Sequence, residues 1–194
     1  MRSAMLALVL LLVSAAGCVM ARDGNVKPPA QWPPHSNQHV KKSIAIHVIE
    51  SGEQAVSSQD PDTAADFRIQ AVKAYTESGL FSSVVTTGEP ADLKADITLG
   101  REDDGLSWSG VASALTLTMI PGVVSQDVIA NTTYTDRQQK VIGTIVKTEG
   151  LGSWVQFFLL FAMPFVDSPN AIMDKAQYDM HRATIEEAYR KGFF

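Results

Sequence analysis

Between Trp154 and Val166 the chain reads WVQFFLLFAMPFV, with Gln156 its only plainly polar residue. As a helix this run reaches only about 20 Å, well short of the ~30 Å hydrocarbon core of a bilayer. Leaving Trp154, Phe157, Phe158, Leu159, Leu160, Phe161 and Phe165 in water costs about 10–20 kcal/mol, at roughly 1.5–3 kcal/mol per side chain. A whole domain is stable by only about 5–15 kcal/mol. The segment is too short to span a membrane and too apolar to stay wet, so something must cover it.

An echo of it lies upstream. Residues 105–122 read GLSWSGVASALTLTMIPG, and residues 150–164 read GLGSWVQFFLLFAMP. Both run Gly-Leu, Ser-Trp, an apolar stretch, then Met shortly before Pro. The first is rich in small residues (Ser109, Gly110, Ala112, Ser113, Ala114), which let a bulky neighbour approach closely. Pairing small against large covers part of each segment and leaves three covers for the remainder: the domain core, a partner or second copy, or a lipid interface. Exposed apolar patches of this size mark binding surfaces, so Trp108, Leu115, Leu117, Met119, Trp154, Phe157, Phe158, Phe161 and Phe165 form a candidate interface. The lipid reading lacks the Lys/Arg flanks that interfacial helices favour.

Around these insertions the pattern is that of an α/β (α+β) domain. SIAIHVIE, from Ser43, alternates Ile44, Ile46 and Val48 with Ala45, His47 and Ile49, as a strand apolar on both faces does. A helix follows, with Asp60 as N-cap, Pro61 in its first turn, a stripe of Ala64, Phe67, Ala71, Ala74 and Tyr75, and Gly79 as its stop. FSSVVTT and ADITLG are the next strands. DVIANTTYTD and RQQKVIGTIVKT make a hairpin turning near 136–139. The last helix opens at Ser168-Pro169, carries Ile172, Met173, Ala176, Met180 and Ala183 inward, and stops at Gly192. The expected architecture is a single mixed sheet packed by two main helices, with the two apolar insertions flanking the hairpin.

The N-terminus addresses the chain to an envelope. MRSAMLALVLLLVSAAGC has a basic start at Arg2, an apolar core from Met5 to Val13, and small residues from Ser14 to Gly17. Cys18 is the single cysteine of the chain, so no disulfide can form within it. Ala15-Ala16-Gly17-Cys18 resembles the lipobox of bacterial lipoproteins, with Ala15 where Leu is usual. The resemblance implies cleavage between Gly17 and Cys18, and a diacylglycerol and an N-acyl chain on Cys18. Two or more acyl chains make a stable anchor, where one is marginal. Val19 and Met20 after the cysteine resemble the enteric pattern of outer-membrane sorting, facing the periplasm. Residues 18–42, with Pro28, Pro29, Pro33 and Pro34, read as a lipidated tether spanning about 25–30 Å. Residues 1–17 are then the signal peptide and 43–194 the domain.

Composition and motifs narrow the chemistry. The net charge is −5, and removing residues 1–17 (one Arg, no acid) takes it to −6. A mildly acidic chain without a basic tract excludes nucleic acid as an expected partner. There is no G-x-S-x-G elbow, no phosphate-cradling glycine loop and no H-E-x-x-H. His35 and His39 lie in the tether, His47 on a strand and His181 on the last helix. Glu102-Asp103-Asp104 lacks the alternating ligands of a calcium loop. No cofactor or metal is expected.

The lipobox, the tether and the phrase ESGLFSSV together resemble Gram-negative envelope lipoproteins. The layout over 43–192 is similar to the anticodon-binding-like domains of the TolB amino-terminal domain, the curli-secretion lipoprotein and a lipoprotein activator of peptidoglycan synthases. The anchor, the candidate interface and the missing catalytic motifs together lead to the expectation of a non-enzymatic, lipid-anchored protein that binds another envelope protein as an accessory or assembly factor. A structural subunit of an oligomeric outer-membrane export complex is the second expectation, and an envelope hydrolase the third.

Overall fold

The computed structural model describes residues 17–35, 40–50, 61–86, 89–103, 108–116, 119–156, 159, 161 and 163–194. The apolar core of the signal peptide, Asp60, Leu117, Phe157, Phe158 and Leu160 lie outside the described residues, as do the side chains of Ala64, Trp108, Gly110 and Ala114. The elements are β1 (Gly17–Arg22), β2 (Ile44–Glu50), α1 (Pro61–Glu77), β3 (Val84–Thr86), β4 (Leu93–Asp103), α2 (Trp108–Leu115), β5 (Gly122–Asp136), β6 (Val141–Gln156), a 3-10 turn (Met163–Phe165) and α3 (Pro169–Arg190).

The strands form one six-stranded sheet in the order β1-β6-β5-β4-β2-β3. Strand β2 pairs in parallel with β3 and β4, whereas β1 pairs antiparallel with β6. The sheet is therefore mixed and the fold α/β, as the order of sequence elements implies. Strand β2 sits between two neighbours, in keeping with Ile44, Ala45 and Ile46 all being buried. The chain divides into two compact units. One comprises residues 1–23, 103–127 and 150–173, and the other 24–102, 128–149 and 174–194.

The second unit holds most of the buried core. Phe67, Ala71, Ala74 and Tyr75 of α1 recur at helical spacing and are fully buried. Gly79 ends the helix at φ +63°, a conformation that costs other residues a Cβ clash. Tyr75 and Tyr134 join their hydroxyls at 2.6 Å, which satisfies two buried polar groups with each other. Phe193 and Phe194, past the end of α3, pack their rings against Tyr134 at 5.8 and 5.6 Å between centroids. Glu187 on α3 is met by both Lys147 and Lys191 at 2.6 Å. These two ammonium groups hold its carboxyl down at about 2.

The β5–β6 hairpin turns where the sequence places it. The Asp136 amide donates to the Lys140 carbonyl, and Gln139 takes the left-handed position at φ 62°. The Asp136 carboxylate caps the loop by accepting from the amides of Gln138 and Lys140, both at 2.9 Å. Its strands run longer than expected, however. The end of β6 takes in Leu151–Gln156, so the first part of the oily run is strand rather than a separate insertion.

The tether also differs from expectation. Residues 17–22 form strand β1, in register from Gly17 opposite Gln156 to Arg22 opposite Leu151. Beyond it, Val26 is only 6% exposed. Buried Glu149 accepts from the amides of Gly24 at 3.1 Å and Val26 at 2.7 Å. The Arg182 guanidinium lies 5.0 Å over the Trp32 ring, so Trp32 is packed. The physical reason is that β6 would otherwise carry an open edge of unpaired amides and carbonyls, and GCVMAR supplies the partner. A chain beginning at Lys41 would lose all of these contacts.

Candidate functional site

Two groups of sequence-identified residues meet in the first unit. Cys18, half-exposed, stands opposite Val155, and Gly17 stands opposite Gln156, the last residue of β6. Strand β6 therefore ends beside the cysteine, and the 3-10 turn at Met163–Phe165 lies against β1.

The described apolar candidates are exposed. Leu115, at the end of α2, is 79% exposed, Phe161 is 68% and Phe165 is 87%. Met119 is also exposed, and Trp154 is so over 37% of its surface. Trp154 stands opposite Val19 in the β1–β6 register, one pair from Cys18. Its indole lies across Gly152, where a Cβ would meet the ring at 3.1 Å, so that glycine gives the ring its resting place. Trp108 opens α2. Leu117, Phe157 and Phe158 fall outside the described residues.

Among the described residues, the first insertion is hydrogen-bonded to β5. Ser109 accepts from the Val123 amide at 3.3 Å and donates to its carbonyl at 3.5 Å. Thr116 closes α2 by donating to the Ala112 carbonyl at 2.8 Å and accepting from the Ile120 amide at 3.2 Å. Sequence reasoning did not single out Ile120, Val124 and Val166, which are exposed in the same unit. Val123-Val124 could have been found as the β-branched opening of a strand. Strand β1 carried no signal of its own.

The second unit has a shallow open depression near the hairpin turn, lined in part by His47, Glu89, Lys94, Thr135 and Arg137. Its basic side chains are engaged with carboxylates. His47 Nδ1 and Lys94 Nζ contact the same Asp96 oxygen at 3.0 and 2.7 Å. Arg137 pairs with Asp92 at 3.0 Å. Asp92 also accepts from the Ser43 amide and hydroxyl, which holds its carboxyl below the usual range. This is a surface network tying β2, β4 and the turn together. His181 is buried on α3 edge-on to Phe67, and burial pushes its imidazole down to about 3. It is a neutral packing group. Among the described residues, no helix is long and apolar enough to cross a membrane.

No protein-family model matches the sequence, and neither does any curated protein. Solved structures do show likeness. The chain is similar to a variant PelC dodecamer from Paraburkholderia phytofirmans at 9% identity and a TM-score of 0.37, over 87% of this chain and 95% of that one. A second PelC dodecamer from the same organism matches at 9% identity and 0.34, over 86% and 92%. A minor lipoprotein from Acinetobacter baumannii matches at 12% identity and 0.40, over 78% of this chain and 90% of that chain. Likeness at this level assigns no function.

Proposed function

We propose that this chain is a lipid-anchored protein of the bacterial cell envelope, cleaved behind Gly17 and acylated on Cys18, that binds another envelope protein as an accessory or assembly factor and catalyses no reaction itself. The observation that carries the reading is the register of Cys18 opposite Val155. Cleavage at that point frees an acylated N-terminus and keeps all of β1 but its first residue. The AAGC sequence supplies the processing site, and the exposed apolar residues of the first unit lie in the same unit as the anchor. Val19 and Met20 favour the outer membrane with the domain facing the periplasm.

The second reading is a structural subunit of an oligomeric outer-membrane export complex. Leu115 and Met119, exposed around the end of α2, favour it as a surface for a second copy. Crosslinking in intact envelopes, followed by sedimentation of the purified protein, separates the two. A defined heterologous partner on a monomeric protein supports the accessory role. A large homo-oligomer supports the subunit. Under both, Cys18→Ser is expected to lose fatty-acid labelling and to remain an uncleaved precursor, and normal processing with membrane retention in that variant contradicts both.

A further inference from the structure

The anchor has no slack. In a protein tethered through two dozen irregular residues, the acyl chains would leave the domain free to stand off the membrane. Here the acylated residue is itself part of the sheet, paired with Val155 one position before β6 ends. The headgroup region on each side of a bilayer is only about 6 Å deep. A cysteine side chain and its glycerol link therefore hold the start of β1 at headgroup level, together with whatever packs on β1.

What packs on β1 is apolar and uncharged. The turn Met163–Phe165 lies against the strand, and residues 151–166 contain no Asp, Glu, Lys or Arg. Phe161, Phe165 and Val166 are exposed there, and Trp154 stands one pair away from Cys18. An aromatic rim with no charge to desolvate suits the membrane–water interface, where Trp in particular is enriched. The missing Lys/Arg flank means that the contact is not driven by anionic lipid.

Resting on the anchor reading above, we infer that the edge formed by Trp154, Phe161, Phe165 and Val166 is a lipid-facing surface, seated in the headgroup region of the leaflet that holds the Cys18 acyl chains. The anchor and this edge make one two-part contact that fixes the sheet's orientation to the membrane, where the acyl chains alone would fix only its distance. The surface is held by burial of apolar side chains and is indifferent to headgroup charge.

The test uses the protein as purified from envelopes, in phosphatidylcholine vesicles whose acyl chains carry bromine near the headgroup end. Tryptophan emission is compared with that in unbrominated vesicles. Bromine is expected to quench it, and the quenched component is expected to be missing from Trp154→Phe. In the double variant Phe161→Ser with Phe165→Ser, which keeps the anchor and loses the fixed orientation, Trp154 is expected to be quenched less by bromine and to become accessible to aqueous iodide, with the circular dichroism unchanged. Added phosphatidylglycerol or salt is expected to leave the wild-type quenching as it was. Unquenched Trp154 overturns the inference. So does self-association in sedimentation that is lost in the double variant, since a second copy then covers the edge. The mass of the Cys18 peptide, read on the same samples, reports the anchor separately. Acylated Cys18 with unquenched Trp154 rejects this surface and keeps the anchor, whereas unmodified Cys18 with quenched Trp154 rejects the anchor and keeps the surface.

Discussion

Cys18 stands opposite Val155 in the antiparallel register that joins β1 to the far end of β6. The residue expected to be lipidated and the residue leading into the oily segment are thus neighbours in one sheet. Residues that read as a tether close the edge of β6 instead.

Exposed and buried phenylalanines should behave as two classes. Phe161→Ser and Phe165→Ser each remove an exposed ring and are expected to change unfolding stability by no more than about 0.5 kcal/mol. Phe67→Ala empties a fully buried site on α1 and should cost about 3–5 kcal/mol. Urea denaturation followed by circular dichroism measures all three. Equal losses would mean that the oily segment is ordinary core.

The two helices were legible because punctuation and periodicity agreed. Gly79 and Gly192 stop them, and the Ser168 hydroxyl accepts from the Ala171 amide as an N-cap should. On α3 the stripe found Ala176, Met180 and Ala183 but not buried Gln177, Asp179, His181 and Thr184. Polar residues do not advertise burial that a partner compensates, as Arg182 does for Asp179 one turn earlier on the same helix. Strand β1 was illegible for a different reason. GCVMAR is short, overlaps a processing signal, and owes its structure to a partner more than a hundred residues away in sequence. Leu151–Gln156 hid its strand character because Gly152 and Ser153 break the alternation, and its aromatic sequel suggested a helix. The apolar residues were legible as composition, while the place of Trp154 next to Cys18 depended on that long-range pairing.

Glu149 should matter out of proportion to its place toward the end of the hairpin. It is fully buried and accepts from the amides of Gly24 and Val26. Glu149→Ala leaves the Val26 amide without this acceptor and is expected to cost about 2–3 kcal/mol. It should also expose the chain near Lys27 to trypsin. Glu149→Gln retains an acceptor oxygen and should cost less on both measures. Identical losses in the two variants would show that the carbonyl-type acceptor is not what latches this segment.

Acid should weaken the fold through His181 before it does so through the shifted carboxylates. Burial pushes the His181 imidazole down from 6.5 to about 3, so the unfolded chain takes up a proton that the folded chain refuses. The stability this represents is intact above pH 6.5 and falls as pH drops toward 3, by at most about 1.4 kcal/mol per pH unit. Glu187, held down at about 2 by Lys147 and Lys191, loses its share only as pH falls from 4.5. His181→Leu should therefore flatten the stability profile between pH 6.5 and 4.5 and leave the steeper acid limb in place. An unchanged slope in that variant would assign the loss to other groups.

The decisive measurement is the mass of the N-terminal peptide from protein isolated from envelopes. The expected chain begins at Cys18 and carries a diacylglycerol on sulfur and an acyl chain on its amine, with cleavage behind Gly17. A mature chain that begins elsewhere, or an unmodified Cys18 at its start, would contradict the lipid anchor.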